Sequence, residues 1–552
     1  MITYRNLAHL HRLQSERLGN RIALRWKQDG LYHDLSWNRY HEQVTACAAA
    51  LIDVGINVGD RVGLFAENRY EWLIADVGIL SAGAVNVTPH APLTPAQVQY
   101  ELADAEVSWL FVSTATQRDK ILEIQDQLPL LKGIVVFDPD AATKDVASWR
   151  GFLQRGRRHL TQAPNELLER EQQLSVDSLA TIMYTSGTTG QPKGVMLTHG
   201  NLLSNTLAVL EVFDCEPSDV LLSWLPYSHI YARTCDHYCS IGAGLPLCLA
   251  ESAETLIFNL AEVQPTRMTA VPRFYEKVLS FVWDEDPEVR ARRLKAVLGP
   301  RLDYLSSGGA PLPPSVAKFY HEAGLLLLQG YGLTESSPVI SFNRKSDYKV
   351  ETVGKPIPGV EVRIGEDGEV LTRGPHVMKG YWKQPEITAE TIEDGWLKTG
   401  DLGSLDEDGF LSITGRKKEL MVLSNGKKVV PSHLENLIVT DPHVAQIVIV
   451  GEARNYLTAL VVPNWEQVKQ SLGSSESEEA LSQSEEVVTL LLAKINAQLT
   501  NVANWEQVKK IYVQPRPFTV EAEELTVSLK LRRGVILKRY AEEIEQLYST
   551  SK

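Results

Sequence analysis

Tyr184 to Asn201 reads Y-T-S-G-T-T-G-Q-P-K-G-V-M-L-T-H-G-N. Three glycines (Gly187, Gly190, Gly194) stand among four hydroxyl side chains (Thr185, Ser186, Thr188, Thr189) and one lysine, Lys193. Glycine lets a backbone turn its N–H groups inward without Cβ interference, and hydroxyls and a cation add further donors. Such a loop suits a polyphosphate. Leu179 to Met183, just before it, reads as a strand, so the loop is expected at a strand end, where α/β folds bind ligands. A Walker loop needs Gly-Lys followed by Ser or Thr. Lys193 instead lies between Pro192 and Gly194, so that pattern fails. A plain Ser/Thr/Gly linker would lack both the strand before and the P-K-G after.

Outward from the loop, strands alternate with helices. Trp37, Tyr40, Val44, Cys47, Ala48, Leu51 and Ile52 recur at helical spacing, with Gly55 as a stop. Arg61 to Ala66 and Val107 to Ser113 read as strands, and Trp72, Ala75, Ile79 and Leu80 as the face of a second helix. This alternation predicts crossover units, hence largely parallel sheets. Ala141 to Ser178 is charged and reads as a solvated helical connection. Ile364 to Ile413 reads as hairpins turning at Asp367-Gly368 and Asp408-Gly409. Beyond it, Val444 to Val450 and Leu457 to Val462 are apolar strands with Asn455 in their turn. The expected architecture is α/β: a large N-terminal domain of layered helices and mostly parallel sheets (1–415), then a small mobile α+β domain (416–552).

The chain has 552 residues and a net charge of −14. A surface of that sign repels phosphate polymers, so no nucleic-acid partner is expected, and a small phosphate ligand would need a locally basic pocket. Five cysteines give no disulfide framework and point to a reducing compartment. Cys235, His237 and Cys239 lack the spacing of a zinc site and read as core residues. No stretch is apolar for the ~20 residues of a membrane span, and no secretory leader is evident. A cytoplasmic location is expected, with peripheral contact at the inner membrane surface and homodimerisation left open. The hexapeptide N-W-E-Q-V-K occurs at Asn464 to Lys469 and again at Asn504 to Lys509, too short to define a repeat fold.

The phosphate loop resembles the signature loop of the adenylate-forming superfamily, which includes acyl-CoA synthetases, luciferases and peptide-synthetase adenylation domains. Further segments follow in the family's order: S-S-G-G-A-P-L (Ser306–Leu312), Q-G-Y-G-L-T-E-S (Gln329–Ser336), G-W-L-K-T-G-D-L-G (Gly395–Gly403) and G-F-L-S-I-T-G-R-K-K-E-L (Gly409–Leu420). The resemblance implies a nucleotide site made of Thr185, Ser186, Gly187, Thr188, Thr189, Gly190 and Lys193 on the loop. Gly308, Gly309, Ala310 and Pro311 would form an adenine-contacting turn. Gln329, Gly330, Tyr331, Gly332 and Thr334 would continue it, with the Tyr331 ring toward adenine and the Thr334 hydroxyl toward the α-phosphate. Asp401 and Arg416 would hold the ribose, a role that suits a carboxylate accepting two hydroxyl hydrogen bonds. Glu335 and Thr185 would ligate Mg²⁺, which takes carboxylates together with substrate phosphates.

Near the C-terminus, Glu524 to Arg533 reads E-L-T-V-S-L-K-L-R-R, with Leu529 where many relatives carry glycine. That departure resembles the long-chain fatty acid–CoA ligase branch and makes Lys530 the catalytic lysine, with Arg532, Arg533 and Lys538 as solvated charges. The segment S-W-L-P-Y-S-H-I-Y-A-R (Ser223–Arg233) resembles the same branch. It implies that His229 positions the fatty acid carboxylate, while Trp224 and Tyr231 line an acyl tunnel or simply pack. Lys418 would be the hinge. The implied reaction joins a fatty acid to AMP from ATP and passes the acyl group to CoA. Two rivals are a fatty acyl-AMP ligase loading a carrier protein and a nucleotide-binding regulator with a dead site. The first usually carries an insertion at the domain junction, which T-G-R-K-K-E-L lacks. The second would have lost Lys530, Glu335 or Asp401.

Overall fold

A computed structural model describes residues 4–185, 191–282, 286–500, 502–519, 522–525 and 531–549. Two large sheets organise the N-terminal part, both with parallel interiors. One has eight strands, in the order Gly380–Tyr381, Lys193–Thr198, Leu179–Thr185, Val85–Val87, Arg61–Phe65, Val107–Val112, Gly133–Val136, Ala147–Ser148. From Leu179–Thr185 onward every pairing is parallel. The second has nine strands and is parallel from Leu326–Gly332 across to Ile22–Gln28, with antiparallel strands at both edges.

Helices close these sheets for reasons written locally. Ser36 caps the helix Trp37–Asp53 by accepting the Arg39 N–H, and Trp37, Tyr40, Val44, Cys47 and Leu51 are buried along it. The expected solvated connection at Ala141 to Ser178 is only half solvated. Its helix Trp149–Gln162 buries Trp149, Phe152, Leu153 and Gly156. At Gly156 a Cβ would stand 1.7 Å from the Ala46 carbonyl oxygen of the helix Trp37–Asp53, so the two backbones touch. The charged residues that dominate its sequence occupy the opposite face.

A third sheet, of Glu361–Ile364, Glu369–Arg373, Trp396–Leu405, Ile392–Glu393 and Leu411–Arg416, is antiparallel. Two of its tight turns carry Gly368 and Gly409 at φ of +82° and +83°, a backbone that glycine adopts without cost. The C-terminal part is built on Val444–Val450, Leu457–Pro463 and Val508–Val513. Its cores draw on residues from Met421 onward and share no member with those of the N-terminal sheets.

Candidate functional site

The phosphate-loop segment joins two antiparallel strands. Leu179–Thr185 pairs antiparallel with Lys193–Thr198, and Thr185 faces Lys193 across the open end. Ser186, Gly187, Thr188, Thr189 and Gly190 lie outside the described residues. The strand pair is fastened by tyrosines: Tyr184 donates to Asp104 Oδ2 (2.5 Å) and Tyr100 to the Pro192 carbonyl (3.0 Å). A Cβ at Gly194 would lie 2.8 Å from Ile182 Cγ2 and 3.2 Å from Trp382 Cβ. The glycine after Lys193 is therefore set by packing.

The strand Gly380–Tyr381 runs along the outer edge of this pair, and the Trp382 N–H donates to the Gly194 carbonyl at 2.7 Å. The same segment reaches the second predicted motif. The Met378 N–H donates to the Glu335 carbonyl (2.9 Å), and the Tyr381 hydroxyl donates to Glu335 Oε1 (2.9 Å). Lys193 Nζ stands 5.1 Å from the centre of the Tyr381 ring, within cation–π range. Lys193 and Glu335, far apart in sequence, thus meet across one aromatic side chain. Glu335 retains a second carboxylate oxygen, and Thr185 ends its strand with a hydroxyl. These are the hard oxygen donors that Mg²⁺ shares with phosphates.

Gln329 to Gly332 belong to the strand Leu326–Gly332: Gln329 pairs parallel with Ser307, and Gly330 to Gly332 pair antiparallel with Val339–Phe342. No side chain fits at Gly332, where a Cβ would lie 1.9 Å from the Pro338 carbonyl oxygen. Gln329 is buried and donates to the Val350 carbonyl (2.6 Å). Tyr331 donates to Asp401 Oδ2 at 2.6 Å, and Arg416 Nε lies 3.0 Å from Asp401 Oδ1. Asp401 and Arg416 are register partners on adjacent strands, which delivers the carboxylate and the guanidinium to one place. Burial, and then the Asp401 charge, push the Tyr331 phenol far up its range, so it stays a donor. The adenine-turn candidates lie close to the acyl-side segment: a Cβ at Gly308 would lie 2.8 Å from Tyr231 Cζ. Gly309 takes φ +78°, and Ala310 and Pro311 face solvent. Thr334 opens the short turn Thr334–Ser336 that carries Glu335.

His229 precedes the helical turn Ile230–Ala232, its ring 4.1 Å from that of His90. His90 shares a hydrogen bond with Ser228 (2.7 Å), and burial pushes its pKa down to about 4. Trp224 is fixed by donation to the Thr269 carbonyl and by the Phe274 ring. Beyond them lies a small cavity walled by Phe213, Leu222, Cys235, Met268 and Tyr304, with Asp236 on its polar side. Burial raises that carboxyl to about 7. Cys235, His237 and Cys239 are all buried, and burial raises both thiols, as expected of packed cysteines.

Lys530 lies outside the described residues. Its neighbour Arg533 is not the solvated charge expected from sequence: it pairs with Glu435 at 2.6 Å and donates to the Ile449 carbonyl. The correction has a simple cause. Glu435 offers both carboxylate oxygens to the guanidinium, and that pairing lets the charge leave the solvent. Lys418 is exposed in the turn Lys417–Glu419. Sequence reading missed Tyr381 and His90. The first stands in an unremarkable G-Y-W, and the second precedes a proline-rich loop; neither advertises its partner.

Comparison with known proteins fits this geometry. Residues 12–382 match the family model described as AMP-binding enzyme, and residues 418–552 match that of the AMP-binding enzyme C-terminal domain. The chain is 33% identical to the long-chain-fatty-acid–CoA ligase FadD15 of Mycobacterium bovis, over 94% of this chain and 93% of that protein. It is 31% identical to fatty acyl-CoA synthetase A of Dictyostelium discoideum, over 99% and 91%. In fold it is similar to the anthranilate CoA ligase AuaEII bound to anthranoyl-AMP (TM-score 0.81, 20% identity, 99% of each chain). It is likewise similar to ATP-bound MatB from Rhodopseudomonas palustris (TM-score 0.76, 24% identity, 98% and 99%).

Proposed function

The chain belongs to the AMP-binding enzyme family, among the long-chain fatty acid–CoA ligases, and on that premise we propose that it activates a fatty acid with ATP and transfers the acyl group to CoA. In the first half-reaction a carboxylate oxygen attacks the α-phosphorus of ATP and pyrophosphate leaves. In the second, the CoA thiolate attacks the acyl carbonyl, the thioester forms and AMP leaves. The observation that carries this reading is the junction at Tyr381, which ties the phosphate segment to Glu335 beside the Tyr331–Asp401–Arg416 cluster.

The residues divide the work. The segment Thr185 to Lys193 cradles the phosphates, and Asp401 with Arg416 takes the ribose hydroxyls. Tyr331 and the Gly308–Pro311 turn border the adenine. Gln329, Gly330 and Gly332 shape that strand, and the Thr334 hydroxyl meets the α-phosphate. Glu335 and Thr185 hold Mg²⁺, which when bound neutralises phosphate charge. His229 orients the attacking carboxylate. Lys530 supplies positive charge where it builds between carboxylate and α-phosphate. The C-terminal domain, from residue 416, turns about Lys418 between the half-reactions. We place the enzyme in the cytoplasm; no helix among the described residues is long and apolar enough to cross a membrane.

A chain-length series of carboxylic acids tests the proposal. Pyrophosphate exchange should depend on a long-chain acid, and AMP release should require free CoA. Acyl transfer only to a carrier protein, with none to CoA, would overturn the acceptor and favour the acyl-AMP ligase. No acid-dependent exchange at all would overturn the enzyme reading.

A further inference from the structure

We infer that Tyr381 is a positioning residue for the metal-binding carboxylate, holding Glu335 in one orientation while its ring seats the Lys193 ammonium. The inference rests on the assignment of Glu335 to Mg²⁺ and goes beyond it by naming the group that fixes the ligand. A glutamate side chain turns about three torsions, and ordering it costs conformational entropy when a metal binds. Groups that orient a ligand before binding remove part of that cost, and their loss typically weakens metal affinity about 10- to 100-fold.

The structure supplies such a group with little freedom of its own. Tyr381 is 8% exposed and held by the strand pairing Tyr381↔Val195. Its own N–H donates to Thr388 Oγ1 at 2.9 Å. Its hydroxyl donates to Glu335 Oε1 (2.9 Å) and also meets the Thr391 side chain. One backbone contact on each side fixes the segment to both partners: Met378 N–H to the Glu335 carbonyl, and Trp382 N–H to the Gly194 carbonyl. Gly380 completes the strap. A Cβ there would lie 2.7 Å from Thr388 Cγ2, and its φ is +142°, so the chain passes where only glycine fits. Residues 378–382 thus act as a strap across two motifs, and Tyr381 is the one side chain on it that touches both charged groups.

The test compares Tyr381→Phe with Glu335→Gln in the full-length enzyme, and measures nucleotide binding by titration calorimetry as well as acid-dependent pyrophosphate exchange. Tyr381→Phe keeps the ring under Lys193 and removes only the hydroxyl. We expect the Mg²⁺ concentration at half-maximal exchange to rise about tenfold and the affinity for Mg·ATP to fall by a similar factor. Affinity for metal-free ATP and the KM for the fatty acid should stay within about twofold. In the double variant the two losses should be clearly less than additive, since both act through one carboxylate. An unchanged Mg²⁺ requirement in Tyr381→Phe, or an equal loss for metal-free ATP, would overturn the inference while leaving the enzyme reading intact. An unchanged Mg²⁺ requirement in Glu335→Gln would overturn the inference at its premise. If the phenylalanine variant does not fold, Tyr381→His, which restores a ring N–H donor, takes its place. It should lie nearer wild type than Tyr381→Leu in Mg²⁺ requirement, and equality of the two would again refute the role.

Discussion

At the scale of single residues, charge placed where water is excluded decides most outcomes. Lys530 has one proposed task, to offset negative charge as carboxylate approaches the α-phosphate. Lys530→Ala should therefore lower acid-dependent pyrophosphate exchange by at least about a hundredfold, the size expected for losing a transition-state cation. Thioester formation from supplied acyl-AMP should be largely spared, and equal loss of both would refute the assignment. Glu101 illustrates the opposite case, a charge the fold resists. It is 6% exposed, and burial lifts its carboxyl from 4.5 to about 8. The folded state prefers the neutral acid, so its contribution is complete below pH 4.5 and is lost as pH rises through 8. Glu101→Gln should stabilise the protein at pH 8.5 by up to about 5 kcal/mol, and should change little at pH 4.5. Melting temperatures across that window check this; a uniform shift at every pH would show that the carboxyl does not titrate as stated.

At the scale of elements, backbone contact sets what sequence can change. The helices Trp37–Asp53 and Trp149–Gln162 approach so closely at Gly156 that an alanine Cβ would also lie 2.9 Å from the Ala50 nitrogen. Alanine gains up to ~1 kcal/mol in helix propensity, while overpacking costs typically ~1–3 kcal/mol or more. Overpacking wins because both obstacles are main chain and cannot rotate away. Gly156→Ala should lose about 2 kcal/mol in chemical denaturation with an unchanged KM for ATP. That contact was not legible in the charged run around it, although the strands, the helix Trp37–Asp53 and both Asp-Gly turns were, because periodicity and turn chemistry are local. The repeated hexapeptide shows where local reading ends. At Asn464 to Lys469 it opens a helix with Trp465 buried and donating to the Pro515 carbonyl. At Asn504 to Lys509 it forms a short turn running into a strand, with Trp505 41% exposed beneath Lys427. Six identical residues take two structures because the surrounding core, not propensity, decides. The site divides the same way. Glu335, Asp401 and Arg416 stand in motifs dense with glycine and charge, but Tyr381 acts through a partner 46 residues away, a relation that only the paired strands create.

At the scale of the whole molecule, two chemistries must share one nucleotide site, and the junction between the two sets of cores has the character this needs. From Ser412 to Leu420 no side chain is buried, so the segment can change its backbone without opening a core. Lys418 sits within it, in a 3₁₀ turn whose φ of roughly −50 to −70° a proline ring also imposes. Lys418→Pro fixes φ at this position and pushes Lys417 out of its helical backbone toward extended ψ, so the segment no longer moves freely between backbone states. If both half-reactions ran in one arrangement, the variant would slow them alike. If the small domain turns about this residue, one half-reaction should survive within about threefold while the other falls at least tenfold. Pyrophosphate exchange reports the first step, and thioester formation from supplied acyl-AMP the second. Thermal unfolding should change little, since no side chain from Ser412 to Leu420 is buried and the strain falls on an exposed turn rather than on a core. Equal slowing with an unaltered melt would move the pivot away from Lys418; unequal slowing would tie the division of labour to one exposed residue.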